Sequence, residues 1–396
     1  MRGEELLEKM ELVDPAYVEA ADTPRRKAPI WLRWGALAAC AVLAVCAGLM
    51  RPQKQLPLLT VPESVGGGMG FEGYAAHDIS ELVSANPWRE DWNLATLPVF
   101  QNPITYDEIY HLPSGVDLQG MEALLRDVAG RLGLDEDALI VTDNAPDAET
   151  RAQIEKKMEL TGTAVPEGYF DPTAVKAEAA GVRIQVDLNK TVTVTFDPAV
   201  SLPETYRFTY DACYEELAEA AEYLKTQYRD LLSMDQPVTD ISGGDYGTDG
   251  LQNYSLAFYE GASSKTQQFV AYHFNRVSFS PNDAGELSLC RVSQPDLSQK
   301  LGDYPIITVD EARERLSQGH YLTSVTSGMP GTQYVHKVEL VYRTGEQEAY
   351  WMPYYRFYVE LPEWEQDGLK TYGAYYVPAV KEEYLTNLPT WDGGFN

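Results

Sequence analysis

Apolar residues recur at intervals of three and four in several parts of the chain. This spacing places side chains on one face of an α-helix. Leu118 to Leu132, Cys213 to Leu231 and Val309 to Leu316 all show it. The sequence therefore predicts a helix in each of these segments, and we expect a further helix between Asp147 and Ala180.

Between these helices the pattern changes to alternation and to short apolar runs, which predicts β-strands. Val182 to Phe196 has the pattern of a hairpin that turns at Asn189-Lys190. The remaining predicted strands lie near Leu139–Val141, Tyr254–Tyr259, Gln268–Ser280, Glu286–Val292, Tyr334–Arg343, Ala349–Leu361 and Tyr372–Ala379. A helix followed by antiparallel strands, repeated three times, predicts an α+β fold of tandem helix-plus-antiparallel-sheet units.

One stretch near the N-terminus differs from all others because it is apolar without periodicity. From Trp34 to Met50 it carries no charge, and it extends back to Ile30 if Arg33 snorkels to the interface. About 20 apolar residues cross a bilayer core, and basic residues concentrate on the N-terminal side. The sequence predicts a transmembrane helix over residues 31–50, held in the lipid bilayer with the N-terminus in the cytoplasm.

Three interpretations of this stretch compete. A retained signal anchor is favoured by the long N-terminal region. A signal peptide cleaved after Ala47 and a lipoprotein modified at Cys40 are the alternatives. All three export the rest of the chain, and from the retained anchor we expect a single-pass protein of the cell membrane with an extracellular body.

The predicted membrane helix divides the chain into segments of different composition. Residues 1–22 could form two short helices that dock a cytoplasmic regulatory protein, or they could be a solvated tail. The predicted organisation is a cytoplasmic segment over 1–30, the membrane helix over 31–50, a Pro/Gly-rich linker over 51–77 with the folded part starting near Asp78, and α+β units over 78–200, 201–300 and 301–396.

Charge restricts the partners of this chain. It has 31 Lys and Arg against 60 Asp and Glu, a formal net charge of -29. Such a surface repels phosphate backbones, so we expect no nucleic-acid partner. Cys213 and Cys290 are the two cysteines of the body; they could form a disulfide in an exported domain or remain reduced.

Motifs for catalysis or metal binding are missing from the sequence. The five histidines lack the pairing that holds zinc on a helix face, and no nucleophile elbow or phosphate-binding loop is present. Asp240, Asp245 and Asp249 could hold calcium, but their spacing departs from the EF-hand pattern and favours a solvated turn. We therefore expect no enzyme activity, cofactor or metal.

The most aromatic segment, Tyr350 to Tyr358, places aromatic side chains on both faces of a predicted strand. One face would pack on a helix, and the other could stack a saccharide or grip a peptide, or could pack against a neighbouring unit. The candidate ligand-binding residues are Trp351, Tyr354, Tyr355, Tyr358, Tyr375 and Tyr376.

The C-terminal segments ITVDEARERL, VELVYR, WMPYYRFYVEL and YGAYYVPAV resemble PepSY-like extracytoplasmic modules and the tandem domains of YycH/YycI-type regulators. The segments ELLEKMELVDPAYVEAAD and FEGYAAHDISELVSANPW resemble uncharacterised single-pass membrane proteins of gut clostridia. The resemblance implies a non-enzymatic sensor or regulator that is anti-sigma-like or modulates a two-component system. The His and paired Cys of a zinc-binding anti-sigma domain are absent from residues 1–33, so such a role would need another docking mode. A wall-binding surface module that recognises a saccharide or peptide without signalling is the alternative.

Overall fold

The computed structural model describes residues 55–62, 71–107, 109–345, 348–391 and 393. Leu56–Asn396 forms one compact unit. The described residues have an α+β fold with six α-helices and antiparallel sheets, as the sequence predicts. Among these helices, none is both long and apolar enough for a membrane span. The predicted cytoplasmic segment and membrane helix, residues 1–50, lie outside the described residues.

The described elements follow one another in a mixed order. The α-helices are α1 (Leu118–Arg131), α2 (Ala148–Leu160), α3 (Tyr214–Gln227), α4 (Arg229–Leu232), α5 (Lys265–Phe274) and α6 (Val309–Ser317). The first nine strands are β1 (Gly73–Ala76), β2 (Thr96–Gln101), β3 (Thr105–Tyr106), β4 (Pro113–Ser114), β5 (Thr142–Asp143), β6 (Ala174–Ala179), β7 (Val182–Asp187), β8 (Thr191–Val200) and β9 (Pro237–Tyr246). The others are β10 (Gln252–Glu260), β11 (Arg276–Pro281), β12 (Leu287–Ser293), β13 (Lys300–Pro305), β14 (Leu322–Thr323), β15 (Val335–Tyr342), β16 (Tyr350–Trp351), β17 (Pro353–Glu360) and β18 (Lys370–Pro378).

Two sheets dominate the described unit. The larger has eight strands in the order β5-β6-β7-β8-β12-β11-β10-β9. The smaller has the order β1-β18-β17-β15, with β14 also paired to β18. Strand β8 of the predicted first unit pairs with β12 of the predicted second unit, so these two ranges share one sheet. The division of the body into three units stays a prediction.

Helix α1 shows why the predicted helices form. The Asp117 side chain accepts a hydrogen bond from the Gly120 backbone N–H at 2.9 Å and caps the first turn. Met121, Leu125 and Val128 then recur on one face and are fully buried in the core that also contains residues of β6 and β7. The predictions of α1, α2, α3 and α6 are confirmed.

The hairpin prediction is also confirmed, because β7 and β8 pair on either side of Asn189-Lys190. Strands also form near the predicted positions of β10, β12, β15, β16, β17 and β18. The strand predicted near Leu139–Val141 forms one residue further along the chain, as the two-residue strand β5, Thr142–Asp143.

The predicted strand over Gln268–Ser280 is wrong for its first half, which forms α5. The Ser264 side chain accepts from the Gln267 backbone N–H and starts the helix. Near the C-terminal end of the helix, Nδ1 of His273 donates to the carbonyl oxygen of Phe269, one turn earlier, at 2.8 Å. Apolar residues in so short a stretch fit either element by pattern, and the capping residue decides for the helix.

The compact unit includes residues from Leu56 onward, well before the predicted start near Asp78. Leu59 and Val61, predicted to lie in the linker, are completely buried. The Leu59 N–H donates to the Tyr384 carbonyl at 2.9 Å, and the Thr386 N–H donates to the Leu59 carbonyl at 2.8 Å. The described part of the predicted linker therefore belongs to the compact unit, and its second portion contributes β1 to the smaller sheet.

Candidate functional site

A cleft of about 790 Å³ opens between the smaller sheet and the β9-β10 end of the larger sheet. A volume of this size suits a small ligand. Four regions contribute to its walls: residues 71–84, the strands of both sheets, helix α5 and the segment after β15 that carries Arg343 and Glu348. Its charged lining residues are Glu72, Arg276, Lys337, Arg343, Glu348 and Arg356.

Strand register brings the central polar residues together. In the smaller sheet Glu339 of β15 lies directly opposite Arg356 of β17, which lies opposite Tyr376 of β18. Directly opposite residues of antiparallel strands point to the same face. Lys337 and Tyr358 form the next pair on this face, so one surface of the sheet carries charged and phenolic groups into the cleft.

Glu339 is the centre of this network, and only 5% of it is exposed. One carboxylate oxygen, Oε2, accepts from Arg356 Nη2 at 2.5 Å and from the Tyr358 hydroxyl at 3.0 Å. The other, Oε1, accepts from the Ser84 hydroxyl at 3.1 Å and binds Lys337 Nζ at 2.9 Å. Four donors therefore saturate this carboxylate.

The charge state of Glu339 follows from these neighbours. Burial alone would raise the pKa of Glu339, because it disfavours the charged form. The positive charges and hydrogen bonds of Arg356 and Lys337 together outweigh burial and lower the pKa to about 2. Glu339 is therefore ionised at neutral pH and acts as a fixed anion beneath the cleft.

Glu72 forms a second acceptor at the edge of the cleft. Its Oε1 accepts from the hydroxyl groups of Tyr74 and Tyr376, each at 2.7 Å. Arg356 Nη1 lies 3.7 Å from the same oxygen. Glu72, which directly precedes β1, thereby contacts β17 and β18, although both strands lie more than 250 residues later in the sequence.

Arg343 is a further charged residue that lines the cleft. Its Nε donates to Glu348 at 2.9 Å, and its guanidinium lies over the rings of Tyr376 and Tyr354 at 5.1 and 5.5 Å. Such stacking favours the cation. Nη1 of Arg343 and Nε of Arg356 are buried and have no hydrogen-bond partner among the described residues.

The wall formed by β9 and its neighbours depends on a buried ion pair. Asp240 is fully buried, accepts from Arg276 Nη2 at 2.5 Å and accepts from the Ala85 N–H at 2.7 Å. Asp240 and Asp245 lie in strand β9 and not in the predicted solvated turn, whereas Asp249 is exposed in the turn that follows the strand. Asp240 is thus held by Arg276, and the structure, over its described ranges, has no cluster of three metal-ligand residues.

Glycine allows a loop to approach this wall. Val83 and Gly243 exchange backbone hydrogen bonds at 2.9 and 3.1 Å. Gly244 has φ of +99°, and a Cβ atom there would lie 2.0 Å from the Glu81 carbonyl oxygen. A residue with a side chain would therefore separate residues 81–84 from β9.

His273 of α5 is the buried imidazole of the cleft. Its Nδ1 lies 2.8 Å from the Phe269 carbonyl oxygen, which can only accept, so Nδ1 carries the proton. Burial lowers the pKa of His273 to about 3, so the ring is neutral at physiological pH. Nε2 then offers a lone pair, and it is buried without a partner among the described residues.

The six predicted aromatic ligand-binding residues are all buried, each less than 9% exposed. Trp351, Tyr355 and Tyr375 pack in the core that also contains residues of α6, and Tyr354 packs in the core that contains Leu59. The smaller sheet therefore presents no open stacking platform at these positions. Of the six, Tyr358 and Tyr376 line the cleft, and ligand binding by these residues stays a prediction.

No protein-family model and no curated protein matches this chain.

Sequence reasoning missed Lys337, Arg343 and Arg356, which line the cleft, and Glu339, which lies beneath it and binds two of them. A signal was present, since Glu339 stands inside VELVY and Arg356 inside YYRFY, both otherwise apolar. A charged residue inside a buried strand requires a partner. Pattern alone gave no indication that these residues face one another.

The two cysteines of the body are both free. Cys213 is exposed at the start of α3, and Cys290 is buried in β12. The alternative of a disulfide between them is therefore wrong for this structure, since one thiol lies at the surface and the other inside the core.

Proposed function

We propose that this chain is a membrane-anchored extracytoplasmic sensor or regulatory protein without catalytic turnover, and that its body binds a ligand in the cleft. The observation that carries the proposal is the ion pairing of the charged residues in the cleft. Charged groups are fixed in mutual ion pairs and phenol rings surround them, an arrangement suited to recognition.

The ionisation of these groups agrees with binding more than with catalysis. A general acid or base works best with a pKa near the working pH. In the cleft, burial lowers the pKa of His273 to about 3 and raises that of Tyr272 to about 12, while ion pairing lowers that of Glu339 to about 2. Each of these pKa values moves away from neutrality.

Signalling requires the two ends of the chain to meet different compartments. The apolar residues 31–50 support a membrane anchor, and residues 1–22 are the proposed contact for a cytoplasmic protein that is anti-sigma-like or belongs to a two-component system. The proposal also rests on the resemblance of the C-terminal region to PepSY-like and YycH/YycI-type regulators.

Two measurements test this function. Protease added to intact cells should degrade residues 56–396 and spare residues 1–30, and crosslinking through residues 1–22 should recover one cytoplasmic regulator. Protection of the body from protease, or recovery of the full-length chain in the soluble fraction, contradicts the proposal. A chain lacking residues 1–22 is the matched control for the crosslink.

A second function, wall binding without signalling, is favoured by the aromatic character of the cleft. Tyr74, Tyr358 and Tyr376 line the cleft, and the amphipathic phenol group is common where proteins contact sugars and peptides. Saccharide binding that survives deletion of residues 1–22, with no cytoplasmic partner recovered, would favour this function over regulation. Tyr376→Phe tests the hydroxyl contact in either case.

A further inference from the structure

We infer that the cleft recognises a carboxylate group of its ligand, with Arg343 and Arg356 as the anchoring residues. This inference rests on the proposed function, because it names the ligand class of the same cleft. The ligand is a small molecule or a chain end that carries a carboxylate, such as a peptide C-terminus or a sugar acid.

The charge of the cleft lining is opposite to that of the chain as a whole. Four cations and two carboxylates are exposed to the cleft volume, in a chain with a formal net charge of -29. The neutralising carboxylates of Glu339 and Asp240 lie behind this lining and are buried. The four cations of the cleft are thereby balanced by four carboxylates, so an anion that enters meets guanidinium donors in a neutral wall, within a chain that otherwise repels it.

The balance of hydrogen-bond donors and acceptors points in the same direction. The Glu339 carboxylate is saturated by four donors, and Glu72 Oε1 already accepts from two phenols. Arg343 and Arg356, in contrast, each retain a buried guanidinium nitrogen without a partner among the described residues. Buried donors without acceptors are costly, so the missing group is an acceptor.

Geometry favours a carboxylate as that acceptor. A guanidinium group is planar and binds the two oxygens of a carboxylate in parallel. Arg343 is further fixed by the rings of Tyr354 and Tyr376 on which it lies, so little side-chain freedom is lost when it binds. The neutral Nε2 of His273 adds one acceptor for a hydroxyl or amide hydrogen of the same ligand.

Matched ligand pairs test this inference on the full-length chain in detergent micelles. Calorimetry compares N-acetyl-Gly-Gly-Ala with its C-terminal amide, and glucuronate with its methyl ester. We expect the charged member of at least one pair to bind about tenfold more tightly or better, as expected for loss of a charge-assisted hydrogen bond. The pair that shows the preference identifies the source of the carboxylate.

Variants locate the preference in the cleft. Arg343→Gln and Arg356→Lys should each remove most of the preference, while Arg183→Gln, whose ion pair with Glu178 is largely exposed, should retain it. Near-UV circular dichroism and the melting temperature show whether each variant is folded. The comparison of the ligand pairs in the unchanged protein needs no variant.

Three results would overturn the inference: equal binding of charged and neutral members, absence of binding by both carboxylates at millimolar concentration, or an unchanged preference in folded Arg343→Gln. Equal binding of the charged and neutral members would contradict carboxylate recognition but would still be consistent with a ligand-binding cleft. Failure of the proposed function is seen separately, in the protease and crosslinking experiments.

Discussion

Glu339→Gln is the substitution that tests the polar network most directly, because the two side chains have nearly the same shape. Gln keeps one acceptor oxygen and replaces the other by an amide nitrogen, which faces donors that the carboxylate satisfied. Arg356 and Lys337 then lose their ionic partner in a buried position. Removing one member of a buried ion pair costs about 3–5 kcal/mol of unfolding free energy.

The lowered pKa of Glu339, which the same two cations cause, leads to a similar magnitude. Its pKa is lowered from 4.5 to about 2 in the folded protein. Each pKa unit corresponds to about 1.4 kcal/mol, so the ionised carboxylate stabilises the fold by about 3 kcal/mol at neutral pH. The two values agree, and we expect Glu339→Gln to lower the unfolding free energy by about 3 kcal/mol.

The same reasoning fixes the pH dependence of this difference. Because the folded pKa lies below the unfolded one, the stabilisation is complete above about pH 5 and is lost as the pH falls toward the folded value. The gap between the original protein and Glu339→Gln should therefore shrink to less than half at about pH 3. Urea titrations followed by tryptophan fluorescence, at several pH values, measure this gap.

Glu383→Gln is the matched control, since Glu383 is exposed near the C-terminus. It should change the unfolding free energy by less than about 0.5 kcal/mol. The reasoning is refuted if Glu339→Gln is no more destabilising than Glu383→Gln at neutral pH, or if the gap widens as the solution is acidified.

Three further predictions concern other parts of the described unit. Leu59→Ala should cost about 2–5 kcal/mol in a urea titration, because Leu59 is completely buried; a cost below about 0.5 kcal/mol would show that residues 56–62 do not belong to the core. Iodoacetamide should label Cys213 and spare Cys290, whose thiol pKa is raised by burial, and labelling of Cys290 in the native protein, read by peptide mass spectrometry, would contradict the packing. Gly244→Ala should lower the melting temperature and cost roughly 1–3 kcal/mol, since its φ is positive and its Cβ would meet the Glu81 carbonyl; a neutral outcome would mean that residues 81–84 can leave β9 freely.

Much of the fold could be predicted where the determining contacts are local. Helix α1 is capped by Asp117, and its buried face is present in the spacing of Met121, Leu125 and Val128. The β7-β8 hairpin turns where Lys190 adopts a left-handed conformation, between two alternating strands. In both cases the residues that decide the structure lie within a few positions of each other, so the sequence carries the signal.

The amino-acid pattern was sufficient for the α+β class, the acidic character and most of the helices and strands after residue 100. Tertiary structure alone decided that Leu59 lies against Thr386, that β1 joins β18, and that Glu339 faces Arg356 in a cleft. The physical reason is distance along the chain: register and burial between remote segments depend on how whole sheets pack, and no local pattern of apolar and polar residues records that choice.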